Sequence, residues 1–452
     1  MAKAATRRQR REISPVFPLG IEPTPGFAKA LGVAASGSGH LFVTGKAGTG
    51  KSTLLRALKG GEAGPSDDPH PGLVVLAPTG LAAVQVGGQT IHSFFGFPPR
   101  LLKPDDIRPS RKLGIMRKMR TLVIDEVSMV RSDLMDAIDR SLRLNRKKPN
   151  EPFGGVQMLM FGDLHQLPPV VQESEVGTLL DERFGGPFFF NAPGFAESEA
   201  HLVELDRVFR QRDEAFVGAL NRIREGGPTA EDLALLNDRV LKLERLRDAA
   251  DYVILTPTNL AAQQINMAFL DLLPGTPRAL EATVAGTYAE SAQPTDQTLV
   301  LKVGAKVILI RNDPDRRWVN GTLAVVSRID DDTVHVEIDG EEHEVEPQTW
   351  ESIRYEYDAK SDEIVEHVAG SFRQLPLRLA WALTIHKAQG MTLDRVYVDL
   401  RRGAFAHGQT YVALSRCRTL QGLALARPLR PTDIIFDKAV TGYREVFQPL
   451  GD

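Results

Sequence analysis

Three short stretches of this chain carry residue types suited to phosphate chemistry. Gly45 to Thr53 read GKAGTGKST, and Gly45–Ser52 has the full Gly-x4-Gly-Lys-Ser spacing. Its glycines let backbone N–H groups close around phosphate oxygens, and the following helix start adds positive potential. Gly45, Ala47, Gly48, Thr49, Gly50, Lys51, Ser52 and Thr53 would line such a cradle, with Lys51 reaching the terminal phosphates and Ser52 ligating magnesium. Asp125 and Glu126 end the apolar run TLVI. Asp125 can hold the magnesium through water, and Glu126 can take a proton from an attacking water. Adjacent carboxylates at a strand end also serve as helix caps, and the phosphate loop upstream favours the catalytic reading. Gln166, in FGDLHQLPPV, is placed to sense a γ-phosphate, whereas His165 has no second ligand nearby and is expected to be structural or solvent-facing. The late stretch TYVALSRCRT reads as a strand and turn leading to Arg416 and Arg418. A cation delivered there from a second lobe would stabilise charge on the γ-phosphoryl group, and the residue nearer the strand, Arg416, is the better candidate.

The elements that must position these residues follow from apolar patterning. HLFVT, RTLVIDE and VQMLMFGD are short continuous apolar runs of the kind buried in parallel sheets, and STLLRALKG after the glycines reads as a helix. In SDLMDAIDRSLRL, Leu134, Ile138 and Leu142 fall on one helix face and are expected in the core. An internal repeat is more informative. VVLAPTGLAAVQV, from Val74, and VILTPTNLAAQQI, from Val253, agree at eight of thirteen positions. Each is a strand, a Pro-Thr turn and an alanine-rich helix start, so one unit is used twice and two similar α/β lobes are expected. TIHSFF at Thr90 and TIHKAQG at Thr384 form a shorter echo. From Leu299 to Gly370, alternating strands joined by Asn-Gly and Asp-Gly turns suggest a small β-barrel.

Composition limits the alternatives. A chain of 452 residues with 25% charged residues can bury large cores in two or three domains. No apolar run approaches a membrane span. The start, MAKAATRRQRRE, is basic and lacks an apolar signal core. Cys417 is the only cysteine, which excludes an internal disulfide and fits a reducing compartment. The net charge of −3 hides an uneven distribution: fifteen acidic residues lie between Asp330 and Glu366, and ten basic ones between Ser371 and Arg430. The acidic block is expected to be a solvated face, and the basic region suits a polyanion.

The ordered set GKAGTGKS, APTGLAA with GGQTIHSFFG, VIDEVSM, PFGGVQMLMFGDLHQLPPV, VFRQ, LTPTN, LTIHKAQGMTLDRVYVDL and YVALSRCRT resembles the petite integration frequency (Pif-type) DNA helicases, relatives of RecD and Dda in superfamily one. The likeness runs from Leu41 to Leu423. It implies an α/β fold of two RecA-like P-loop lobes, with ATP and magnesium in the cleft and single-stranded DNA across the top, translocated 5′ to 3′. Lobe one would span 21–195 after a basic arm at 1–20, with a small wedge excursion at about 96–119. Lobe two would comprise 196–298 and 371–452, interrupted by a Src-homology-3-like barrel at 299–370. The resemblance assigns Lys51, Glu126, Gln166, Arg210 and Arg416 to catalysis and adds Gly390 to the nucleotide site. It puts Pro78, Thr79, Gly80, His92, Phe94, Thr258, Asn259, Thr384, His386 and Lys387 near DNA. Phe94, Phe95 and Phe97 suit either base stacking or a core. The expected protein is a cytoplasmic, DNA-associated monomer, nuclear or mitochondrial if eukaryotic, without a membrane partner, acting on single-stranded and forked DNA, G-quadruplexes or RNA–DNA hybrids. One departure stands out: relatives carry an adenine-reading glutamine before the phosphate loop, and IEPTPGFAKALGVAASGSGH has none. A translocase without strand separation and a nucleotide-controlled clamp are the rival readings; a clamp needs neither Glu126 nor the late arginines.

Overall fold

The computed structural model describes residues 24–37, 39–59, 72–171, 174–207, 213–315, 317–358, 363–401 and 403–448. The arm at 1–20 and Arg210 lie outside the described residues.

Each apolar run becomes a strand covered on both faces, as a parallel sheet requires. Six parallel strands stand in the order Gln89–Thr90, Leu73–Ala77, Thr121–Ile124, Gln157–Phe161, His40–Gly45 and Ala200–Leu205. A second parallel sheet is ordered Ala382–Thr384, Val253–Thr256, Val396–Val398 and Leu423–Leu425. With helices packed on them, these are the two RecA-like lobes, and the strand Ala200–Leu205 carries lobe one past the boundary expected at 195. The helix Ser132–Arg146 buries Leu134, Ile138 and Leu142 as its spacing requires. Asp136 and Asp139 are buried as well, because the segments Pro152–Gly155 and Pro193–Ala196 cover a second side of that helix.

The repeat is also a repeat of structure. Leu73–Ala77 passes through Pro78 and Thr79 into the helix Gly80–Gln85, and Val253–Thr256 passes through Pro257 and Thr258 into Asn259–Leu272. Each threonine is the N-cap: Thr79 Oγ1 accepts from Ala82 N and Thr258 Oγ1 from Ala261 N, both at 3.3 Å.

Antiparallel strands run from Arg278 to Leu379, a wider span than the turn signals indicate. Arg278–Glu281 and Thr283–Gly286 are mostly exposed strands without clear apolar alternation, so they leave little trace in the sequence. Five antiparallel strands form one sheet, a four-strand meander ordered Glu341–Val345, Val334–Ile338, Leu323–Ile329 and Lys306–Leu309 with Leu377–Leu379 returning beside the last. Gln348–Asp358 and Glu363–Gln374 form a long hairpin that reaches back to lobe one. There the Tyr355 hydroxyl accepts from Val75 N at 3.2 Å, and its ring meets Phe94 edge-on at 6.0 Å. Phe94 is only 1% exposed and packs in the lobe-one core. Of the two readings left open for Phe94 the structure takes the core, so its placement among the DNA contacts is corrected: in the short helix Ile91–Phe95 it is on the core-facing side.

Candidate nucleotide site between the lobes

The strand His40–Gly45 delivers the phosphate loop, and the helix Lys51–Leu58 leaves it. At Gly45 (φ 156°) a Cβ would lie 2.6 Å from the Leu205 carbonyl oxygen, so the turn accepts only glycine. Lys51 Nζ folds onto the loop, donating to Gly45 O at 2.6 Å and Lys46 O at 3.2 Å, and burial pushes its pKa down. Asp125 and Glu126 follow the strand Thr121–Ile124, as expected. Glu126 has φ 49°, a left-handed conformation that costs a non-glycine residue about 1 kcal/mol or more and recurs where geometry serves function. Burial, then the charge of Asp125, pushes the Glu126 carboxyl up to about 7, and burial pushes Asp125 up to about 6. A hydroxyl at Ser52 and a carboxylate at Asp125 are hard oxygen donors, the set that suits magnesium.

Lobe two closes the site from the opposite side. The stretch before Arg416, read from the sequence as a strand, is a helix, Gln409–Ser415. All seven of its residues are buried, so it lacks the polar face that marks a helix in sequence. Gly408 (φ 69°) starts it; a Cβ there would stand 2.3 Å from Gln166 O, which makes glycine the condition for this approach of the lobes. His407 Nε2 is 2.9 Å from Leu164 O, and the Tyr411 hydroxyl accepts from the phosphate-loop amide of Ala47 at 3.1 Å. Arg416, 1% exposed, is held by Val412 O (Nε, 2.9 Å) and Ser415 Oγ (Nη2, 2.8 Å), and its charge acts on Glu126. Arg418 is exposed and pairs with Asp394 at 2.7 Å. The structure thus separates the two arginines as the sequence reading expected, with a helix end rather than a strand as the support.

Three residues of the site escaped the sequence reading. Gln389 crosses from lobe two, its Nε2 donating to Glu126 Oε2 at 3.1 Å and Gln166 Oε1 at 3.0 Å. Gln166 in turn donates to Asp163 Oδ2 at 3.2 Å, and Asp163 Oδ1 accepts from Arg224 of lobe two at 2.9 Å. Burial alone would raise the Asp163 pKa, yet the Arg224 guanidinium and His165 hold it well below the usual carboxylate range. His165 is buried against Asp163, so it is structural and not solvent-facing. Nothing in local sequence marks Arg224, because its partner lies in the other lobe. Arg224→Met should lower stability by about 3–5 kcal/mol in urea denaturation, since it strands a buried carboxylate. The depressed Asp163 pKa adds stability that is complete above the ordinary aspartate value and lost as pH falls towards the folded value, so the deficit of the variant should shrink in acid.

The residues expected at DNA are divided. Thr79, Thr258, Asn259 and Lys387 are exposed, and Pro78, His92 and His386 are half-buried. Gly80 is buried, and Thr384 is 3% exposed with its hydroxyl accepting from Lys387 N at 3.2 Å, so its side chain is closed to a strand. Gly390 is exposed on the turn beside Gln389. The basic C-terminal region is also less available than its composition indicates. Arg395 pairs with Asp251, Arg401 with Asp399, and Arg427 and Arg430 with Asp433, while Arg378 is buried. Among the described residues no group of three or more His, Cys, Asp or Glu side chains is placed to cage a metal, and no helix is long and apolar enough to cross a membrane.

The model of one family, PIF1-like helicase, matches residues 27–226. The human ATP-dependent DNA helicase PIF1 is 36% identical over 406 residues, which cover 85% of this chain and 57% of the human protein. This chain therefore spans little more than half the length of that relative. The ATP-dependent DNA helicase Pif1 of Bdellovibrio bacteriovorus is 32% identical over 445 residues, 95% of this chain and 93% of that protein. Unliganded Pif1 from a Bacteroides species superimposes with a TM-score of 0.85 at 36% identity, covering 94% of this chain and 97% of that one. The same Bacteroides protein also has structures in complex with ADP-AlF4, TM-score 0.84, and bound to single-stranded DNA, TM-score 0.65.

Proposed function

This chain belongs to the PIF1-like helicase family, and from that premise we propose that it is an ATP-dependent DNA helicase moving 5′ to 3′ on single-stranded DNA. One observation carries the reading: a single phosphate site shared by two lobes, with Lys51 and Glu126 on one wall and Arg416 buried on the other. The phosphate-loop amides and Lys51 hold the β- and γ-phosphates, Glu126 orients a water and takes its proton, and Gln166 senses the γ-phosphate. Arg416 meets the charge that develops on the γ-phosphoryl oxygens, which ties hydrolysis to a closed cleft. Arg210, from VFRQ, is the second lobe-two cation of this reading. Ser52 and Asp125 would hold a magnesium ion, which when bound offsets phosphate charge.

On the DNA side, the matched turns at Thr79 and Thr258 give each lobe its own grip, supported by His92, Asn259, His386 and Lys387. Opening and closing of the cleft then moves one grip along the strand relative to the other. The Bacteroides relative with both ligand classes supports this division of labour. Forks, G-quadruplexes and RNA–DNA hybrids are the substrates proposed, and a monomer is the acting unit. The decisive experiment is unwinding of forks that carry only a 5′ or only a 3′ single-stranded tail. ATP-dependent strand separation is expected with the 5′ tail alone; unwinding only from the 3′ tail reverses the proposed polarity, and hydrolysis without unwinding leaves the translocase reading in its place.

A further inference from the structure

The turn after the strand Ala382–Thr384 touches both proposed sites. His386 and Lys387 stand on its outer side, half-buried and exposed respectively. Its backbone is tied into one piece: Lys387 N donates to Thr384 Oγ1 at 3.2 Å, Ala388 N to Thr384 O at 3.0 Å, Gln389 N to His386 O at 3.2 Å, and Met391 N to Ala388 O at 3.1 Å. Anything that displaces His386 and Lys387 therefore displaces Gln389.

The Gln389 side chain leaves lobe two and ends on lobe one. Its two amide hydrogens match two acceptors, Glu126 Oε2 at 3.1 Å and Gln166 Oε1 at 3.0 Å. The carboxylate that must accept a proton from water is thus engaged by an amide donor. The glutamine that senses the γ-phosphate is held at both ends, by Gln389 on one side and by Asp163 on the other. Asp163 is itself fixed by Arg224, so the chain Arg224–Asp163–Gln166–Gln389–Glu126 passes back and forth between the lobes.

Building on the functional reading above, we propose that Gln389 is a positioning residue that restrains Glu126 and Gln166 until single-stranded DNA engages His386 and Lys387 on the same turn. Two features favour restraint over assistance. The amide occupies the base where water must bind, and it ties the base directly to the sensor through one nitrogen. Hydrogen bonds of this length weaken steeply with a displacement of about 1 Å or with loss of alignment, so a small movement of a rigid turn releases both acceptors together. Coupling of this kind is reciprocal: nucleotide that draws Glu126 and Gln166 onto the γ-phosphate also frees the turn and changes its affinity for DNA.

The test compares wild type, Gln389→Ala and Gln389→Met in steady-state ATP hydrolysis with and without oligothymidine, alongside nucleotide-free DNA affinity by fluorescence anisotropy. For Gln389→Ala the DNA-free kcat should rise about 10-fold, the factor carried by one hydrogen bond to a charged group, and the ratio of stimulated to DNA-free rates should fall by about the same factor. The rise should appear in kcat, with KM for ATP within about two-fold. Gln389→Met keeps roughly the size and removes the donor without adding charge, so it should act in the same direction and exclude a cavity effect. An unchanged DNA-free kcat in both variants, or stimulated and DNA-free rates that fall together, overturns the proposal. A wild-type chain whose hydrolysis ignores DNA defeats the functional reading instead, and the restraint is then still decided by the DNA-free kcat of the two variants.

Discussion

Arg416→Ala should bind ATP and single-stranded DNA but lose DNA-stimulated hydrolysis by roughly 10³-fold or more, the scale of a lost arginine finger. Hydrolysis spreads negative charge over the γ-phosphoryl oxygens and the bridging oxygen, and a fixed cation in a dry site stabilises that charge without reorganising solvent. Arg416 meets those conditions, being 1% exposed and held at the end of its helix by Val412 O and Ser415 Oγ, with Glu126 within reach of its field. Arg418, two residues on, is exposed and already paired with Asp394, so Arg418→Ala should change hydrolysis by no more than a few-fold. Arg416→Lys should recover little, because an ammonium lacks the planar fork and cannot keep the same carbonyl and hydroxyl contacts. The measurement is single-turnover hydrolysis with saturating DNA, with circular dichroism melting as the control for folding. Hydrolysis within a few-fold of wild type by folded Arg416→Ala removes the residue from the centre of the mechanism.

The second large effect is expected at Glu126. Glu126→Gln should keep nucleotide and DNA binding and lose turnover by about 10²- to 10⁴-fold, the range of a positioned general base. The side chain is buried and its carboxyl is pushed up, by burial first and then by Asp125, which makes it a stronger base than a solvated glutamate. Glutamine keeps the shape and one carbonyl oxygen, so the contact from Gln389 and the left-handed backbone at φ 49° both survive the change. A loss confined to kcat, with ATP binding intact, marks a group that acts in the transition state rather than in the ground-state grip. Near wild-type turnover in Glu126→Gln assigns the proton transfer to another group.

Residues whose roles depend on near neighbours in the chain were legible without coordinates. The phosphate loop is one strand, one turn and one helix start, and its glycines, Lys51 and Ser52 are tied to that geometry by spacing alone. Asp125 and Glu126 end a strand that the four hydrophobic and β-branched residues Thr121–Ile124 announce. The two lobes could be inferred because one strand–turn–helix unit occurs twice, and both copies fold with the same threonine cap.

Other features depended on contacts between distant segments. The helix Gln409–Ser415 reads as a strand because tertiary packing buries every face of it, which erases the amphipathic period. Sequence left Phe94 open between base stacking and core and put Thr384 near DNA, but Tyr355 and the local turn close both off. Half of the catalytic wall is also a product of distance: Gln389 meets Glu126 across 263 positions, and Arg224 meets Asp163 across 61. A local motif can specify the groups it carries, because covalent geometry holds their spacing. The partner of a buried charge is chosen by the fold as a whole, since only the packed lobes exclude the water that would otherwise satisfy it.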